Sequence, residues 1–158
     1  MTQITIEYMI MIPLMIMQIF LFPLTASWIM NTWVDSRQTL ALKEIASHVS
    51  SSLQQIYSAL THSSMASSTV TIESEVPEFI EGHPYFGNAT FYSGLDSNSS
   101  SSLEIRFMII DTQIESRTRF PVGDDFSWQD STFTSNSNNA IIAHKQTNGT
   151  ITLSFGGI

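Results

Sequence analysis

Residues 3–34 read QITIEYMIMIPLMIMQIFLFPLTASWIMNTWV. Glu7 is the one formal charge in this stretch, and from Tyr8 to Val34 there is no Asp, Glu, Lys or Arg. A helix needs roughly 20 consecutive apolar residues to cross a hydrocarbon layer, so the run predicts a helix of membrane-spanning length. A carboxylate costs about 2.5–3.5 kcal/mol at the bilayer centre and less near its edge. Glu7 is therefore expected at the interface or beside a partner. A secretory signal peptide has a basic start and a shorter apolar core. This segment has neither, although Thr25-Ala26-Ser27 is small enough to serve as a cleavage site.

The spacing of Gln3, Thr5 and Glu7, followed at once by the apolar run, carries more information. Gln-x-Ser/Thr-x-Glu at this place resembles the start of archaeal type IV pilins and archaellins, and the filling of Ile4, Ile6, Tyr8 and Met9 is similar too. In that family a prepilin peptidase cuts just before the Gln, which makes the Glu the fifth residue of the mature subunit. Glu7 is fifth when counted from Gln3. The resemblance thus implies processing between Thr2 and Gln3, with residues 1–2 as the remainder of a leader. The chain departs from the family pattern here, having Met1-Thr2 where the family has Lys or Arg followed by Gly or Ala.

The resemblance covers the N-terminal helix alone. It implies assembly through Gln3, Glu7, Pro13 and Pro23, with the Glu7 carboxylate paired to the amino group of Gln3 on an adjacent subunit. In bacterial type IV pilins a proline placed like Pro23 accompanies local unwinding, so either an unwound stretch or a gently kinked helix is expected ahead of it. The partners implied are further copies of the chain, the membrane before assembly, the prepilin peptidase and the pilus assembly machinery.

Beyond Val34 the helical pattern continues. Leu42, Ile45, Val49, Leu53, Ile56 and Leu60 recur at steps of three and four, an apolar stripe with polar residues on the other faces. No Gly or Pro interrupts residues 24–66, so a helix is predicted from about Ile6 to Thr61. Three parts follow: a membrane or filament-core helix (3–34), an amphipathic stem (35–65) and a β-rich head (66–158).

The head alternates apolar and polar residues in short runs separated by Gly, Pro, Asn and Ser, which predicts about six strands in an antiparallel sheet or sandwich. The expected strands are Thr69–Ser74, Asn88–Ser93, Leu103–Ile110, Ile114–Phe120, Ala140–Lys145 and Thr150–Phe155, with a loop over Glu75–Gly87 and room for one short strand among the loops of Pro121–Asn138, which holds Phe126, Trp128 and Phe133. Asn148-Gly149 marks the last hairpin. The fold class is α+β. These strands hold too few large apolar residues for a thick core, so Ile45, Val49, Leu53, Ile56 and Leu60 of the stem are expected to pack onto the sheet.

Net charge is −8, and eleven of the fourteen acids lie after residue 66 against four of the six bases. No basic stripe of the kind nucleic-acid binding requires is present. The absence of cysteine excludes disulfides, thiolate metal sites and cysteine nucleophiles. His48, His62, His83 and His144 are scattered without metal-ligand spacing, and neither Gly-x-Ser-x-Gly nor a phosphate-cradling glycine loop occurs. No catalytic residue, metal or cofactor is expected. Asn88-Ala89-Thr90, Asn98-Ser99-Ser100 and Asn148-Gly149-Thr150 are N-glycosylation sequons, expected beside loops or turns of an exported head.

Two functional readings share these features. One is a pilin subunit, held in the cytoplasmic membrane before assembly and polymerised through its N-terminal helix into an extracellular filament for adhesion or surface attachment. The other is a single-span anchored protein with an extracellular β domain, similar to archaellum stator components or an adhesin, that does not polymerise.

Overall fold

A computed structural model describes residues 2–62, 67–93, 100–135 and 138–157, with side chains described from Met9 onward. One helix, α1, spans Thr2–Thr61 and stays α-helical through Pro13 and Pro23. Among the described residues no unwound stretch precedes Pro23. The chain divides into two compact units, residues 1–37 and 38–158. The stem from Gln38 onward therefore belongs to the unit that holds the sheets.

Among the described residues eight strands follow: β1 (Ser68–Glu73), β2 (Tyr85–Tyr92), β3 (Ser102–Ile109), β4 (Glu115–Pro121), β5 (Phe126–Trp128), β6 (Thr132–Thr134), β7 (Asn139–Lys145) and β8 (Ile151–Gly157). They form two four-stranded sheets, ordered β1-β7-β8-β5 and β4-β3-β2-β6. The fold is α+β, as the pattern of runs predicts.

The departures have local causes. The polar stretch over residues 121–138 contributes two strands, β5 and β6, each only three residues long and too short to display a period of two. β5 pairs with β8 in parallel, so the first sheet is not wholly antiparallel. β2 begins at Tyr85 rather than Asn88, because Gly87 is a strand residue and not a turn residue. It stands opposite Phe107, and a Cβ on it would lie 2.5 Å from the Phe107 ring. The glycine lets the ring lie over the backbone. Within the expected loop, Ile80 and His83 exchange backbone hydrogen bonds of 2.9 Å across Glu81 (φ 51°) and Gly82 (φ 83°). Positive φ at both central residues is the mark of a tight type I′ turn.

Strand β3 shows how the sequence builds the core. Leu103, Ile105, Phe107 and Ile109 point inward and are buried, while Ser102, Glu104, Arg106 and Met108 alternate outward. One apolar cluster contains inward residues of both sheets together with Leu42, Ile45, Val49, Leu53, Ile56 and Leu60 of α1. Aromatic contacts join the two sheets, Phe133 with Phe155 at 5.4 Å and Phe91 with Phe126 at 5.5 Å between ring centroids.

Candidate functional site: the apolar helical segment

From Met9 to Trp33 every residue of α1 is exposed. Large apolar side chains are exposed on all sides of the helix, Met9 at 79%, Phe22 at 76% and Trp28 at 71% among them. The segment is long and apolar enough to cross a membrane. Arg37 marks its far end, stacking its guanidinium over the Trp33 ring at 4.9 Å.

The backbone and its few polar side chains set what this segment can do. Pro13 and Pro23 have no N–H, so the carbonyls of Met9 and Ile19 lose their usual donors four residues on. Thr25 donates its hydroxyl to the carbonyls of Leu21 and Phe22, both at 3.0 Å, and Thr32 donates to Trp28 at 2.9 Å. These hydroxyls are satisfied by their own helix and can face hydrocarbon. The amides of Gln18 and Asn31 differ: among the described residues neither has a hydrogen-bond partner. Moving an unpaired amide from water into hydrocarbon costs about 4–8 kcal/mol.

The residues expected to drive assembly lie at the start of α1. Thr2, Gln3 and Glu7 fall within the helix, but their side chains lie outside the described residues. Pro13 and Pro23 lie within the exposed segment. Of the sequons, Asn88 sits in the middle of β2 between Arg106 of β3 and Thr132 of β6, exposed on the outer face. It is a strand residue, not the loop neighbour expected, because β2 starts earlier than its glycine and proline signals imply. Asn148 is exposed in the β7–β8 turn, its side-chain oxygen accepting from the Thr150 N–H at 3.0 Å. Asn98 lies outside the described residues.

In the second unit the stem is held by polar contacts as well as by its stripe. Lys145 is 9% exposed and donates to the carbonyls of Leu60 (2.5 Å) and His62 (3.1 Å), at the C-terminal end of α1. A cation there satisfies carbonyls that have no helical donor and complements the helix dipole. The Tyr57 hydroxyl donates to Asp125 (2.8 Å) and accepts from the Gly123 N–H (2.7 Å), while its ring meets Phe126 edge-on at 5.7 Å. Burial, with the Asp125 carboxylate in support, pushes the Tyr57 phenol up from its ordinary value. Motif reading passes over Lys145, although the alternation Ile141, Ala143, Lys145 puts it in phase with the inward face of β7.

The outer face of β3 and β4 carries the exposed arginines of the head. Arg119 pairs with Glu104 at 2.7 Å, Arg117 with Glu115 at 2.6 Å, and Arg106 also pairs with Glu115. Hydrogen bonds from Arg106 and Arg117 hold the Glu115 carboxyl below the usual carboxylate range. Among the described residues no group of three His, Asp or Glu is placed to hold a metal ion.

Comparison of the chain with protein-family models, with curated proteins and with solved structures returned no match.

Proposed function

We propose that this chain is a structural, non-enzymatic subunit of an extracellular type IV pilus-like filament, polymerised through residues 3–34. The observation that carries this reading is the all-round exposure of apolar residues from Met9 to Trp33, directly behind the Gln3-x-Thr5-x-Glu7 spacing that resembles the start of archaeal pilins. Such a surface needs an apolar surrounding on every side. Lipid supplies one before assembly, and the tails of neighbouring subunits supply another afterwards. Because both surroundings are apolar, transfer between them is nearly neutral, and packing together with polar pairing must decide it. Glu7 is the group placed to do so. Paired with the amino group of Gln3 on a neighbour, its charge is neutralised, whereas a subunit in the wrong axial position leaves it buried and unpaired.

Negative-stain imaging of material sheared from expressing cells, with intact-mass measurement of the subunit, tests the proposal. Filaments whose subunit lacks Met1 and Thr2 are expected. Recovery of the chain only with membranes, and no filament in the sheared fraction, would establish the single-span anchored protein instead.

A further inference from the structure

The two sheets end in four edge strands, and two of them are long. β5 and β6 have three residues each and offer little to pair with. β1 and β4 have six and seven, and among the described residues no strand pairs with the outer edge of either. Each therefore presents a row of unpaired N–H and C=O groups. β1 lacks the usual guards of such an edge. It contains no Lys, Arg or Pro, and Thr69, Val70, Thr71 and Ile72 are all β-branched. Its inward row is poorly covered too: Ile72 is 40% exposed, and an apolar groove of about 310 Å³ runs between Val70 and Ile72 and the stem residues Ile56 and Ala59.

β4 complements β1 in charge. Arg117 and Arg119 are exposed on its outer face, where together with Arg106 they outnumber Glu104 and Glu115. β1 runs instead into a stretch, residues 73–81, that carries Glu73, Glu75, Glu78 and Glu81 and no base. Laid antiparallel with Glu73 opposite Arg117, the two strands match residue by residue. Thr71 then faces Arg119 on the outer side, while Ile72 faces Thr118 and Val70 faces Phe120 on the inner side. Pro121, which has no N–H, falls at the end of the pairing, where a strand tolerates it. A slip of one residue would set Glu73 against the inward row of β4, so this alternation fixes the face. The Arg117–Glu115 pair within one copy is exposed and worth about 0–1 kcal/mol, and it does not hold Arg117 back.

We propose that β1 of one copy pairs antiparallel with β4 of a second copy, through the backbone groups of both edges and the contact between Glu73 and Arg117. The added strand lies about 4.8 Å out from β1 and brings its own inward row beside Val70 and Ile72. The two surfaces differ, so each pairing leaves one β1 and one β4 free, and the contact repeats without closing on itself. It lies wholly within the sheet-bearing unit, uses none of residues 3–34, and stands apart from polymerisation through the helix.

The chain has no native cysteine, so single cysteines in the full chain report the contact. Thr71→Cys and Arg119→Cys chains, purified in detergent, would be treated with a short bifunctional thiol reagent, separately and mixed. The mixture should form dimers and neither chain alone should, while a chain carrying both cysteines should give a ladder of higher oligomers. Added to the mixture, Glu73→Arg on the first chain or Arg117→Glu on the second should slow dimer formation about fivefold, and the two reversals together should restore it. Dimers formed equally fast in the mixture and in each chain alone would assign the association to the helix and overturn the edge contact. No dimers at all, or a double reversal that fails to restore them, would overturn it as well. None of these results depends on whether filaments form, which the sheared fraction reports separately.

Discussion

Two stretches of α1 meet opposite surroundings. Between Met9 and Trp33 nothing is buried, and residues as apolar as Phe20 and Ile19 are 68% and 67% exposed. Between Leu42 and Leu60 the apolar residues are fewer, yet Leu42, Val49 and Leu53 are each 0% exposed. Apolar content alone therefore does not place a helical residue in a core. The stem offers one stripe, backed by polar faces at Ser51, Gln54, Gln55 and Ser58, and one stripe is what a sheet can cover. The first stretch is apolar all round, a surface that hydrocarbon or several neighbouring helices can enclose.

The sharpest way to break this contrast is to remove one leucine from each stretch. Leu53→Ala should destabilise the sheet-bearing unit by about 2–5 kcal/mol, while Leu21→Ala should leave it within about 0.5 kcal/mol. Chemical unfolding of the full chain in detergent, followed by near-ultraviolet circular dichroism, compares them. Equal losses would mean that the two stretches are not energetically distinct.

A second effect belongs to the folded unit alone. Burial pushes the Tyr85 phenol up to about 12, and its hydroxyl donates to the Pro77 carbonyl at 2.6 Å. Between its ordinary value near 10 and about 12 the folded chain keeps this proton while the unfolded chain loses it. The contribution is thus fully present below pH ~10 and is lost as pH rises through that window, by about 2–3 kcal/mol. Tyr57, also raised, acts in the same direction. Tyr85→Phe should flatten the alkaline loss of stability, and an unchanged pH profile would remove Tyr85 as its source.

Smaller still is the tie at the end of the stem. Lys145→Met keeps the length of the side chain but strips the donor from the Leu60 and His62 carbonyls, and should cost about 1–3 kcal/mol. Hydrogen exchange should rise first in the last turn of α1. Protection that falls evenly across the unit would contradict a capping role.

Glu115→Gln should have the smallest effect, since its partners Arg106 and Arg117 are exposed and salt screens them. The lowered carboxyl contributes above the ordinary carboxylate range, and that contribution is lost as pH falls through its depressed value. The difference between wild type and Glu115→Gln should accordingly vanish at high salt or low pH.

Much of this arrangement was legible in the residues. The apolar run and the stem stripe each declare a period or a length, and β3 and β8 alternate over eight and seven residues. Over residues 121–138 the aromatics Phe126, Trp128 and Phe133 announce one short strand where β5 and β6 are two, because three residues cannot display a period and their pairing is fixed by partners distant in sequence. Gly87 misled because a glycine that admits a neighbouring ring and a glycine that makes a turn are the same letter. The polar ties through Tyr57 and Lys145 join residues 66 or more positions apart, a distance over which local pattern is silent.

The central claim, that the exposed apolar stretch is an assembly surface governed by Glu7, is tested most directly by Glu7→Gln and Glu7→Leu. Subunit would be measured separately in the membrane and in the sheared filament fraction. Removing one member of a buried ion pair strands the other at roughly 3–5 kcal/mol, whereas a simple anchor loses nothing and is better retained with Leu. Both variants are predicted to keep a full membrane pool while their filament fraction collapses. Filaments from both variants at the wild-type level would contradict the account.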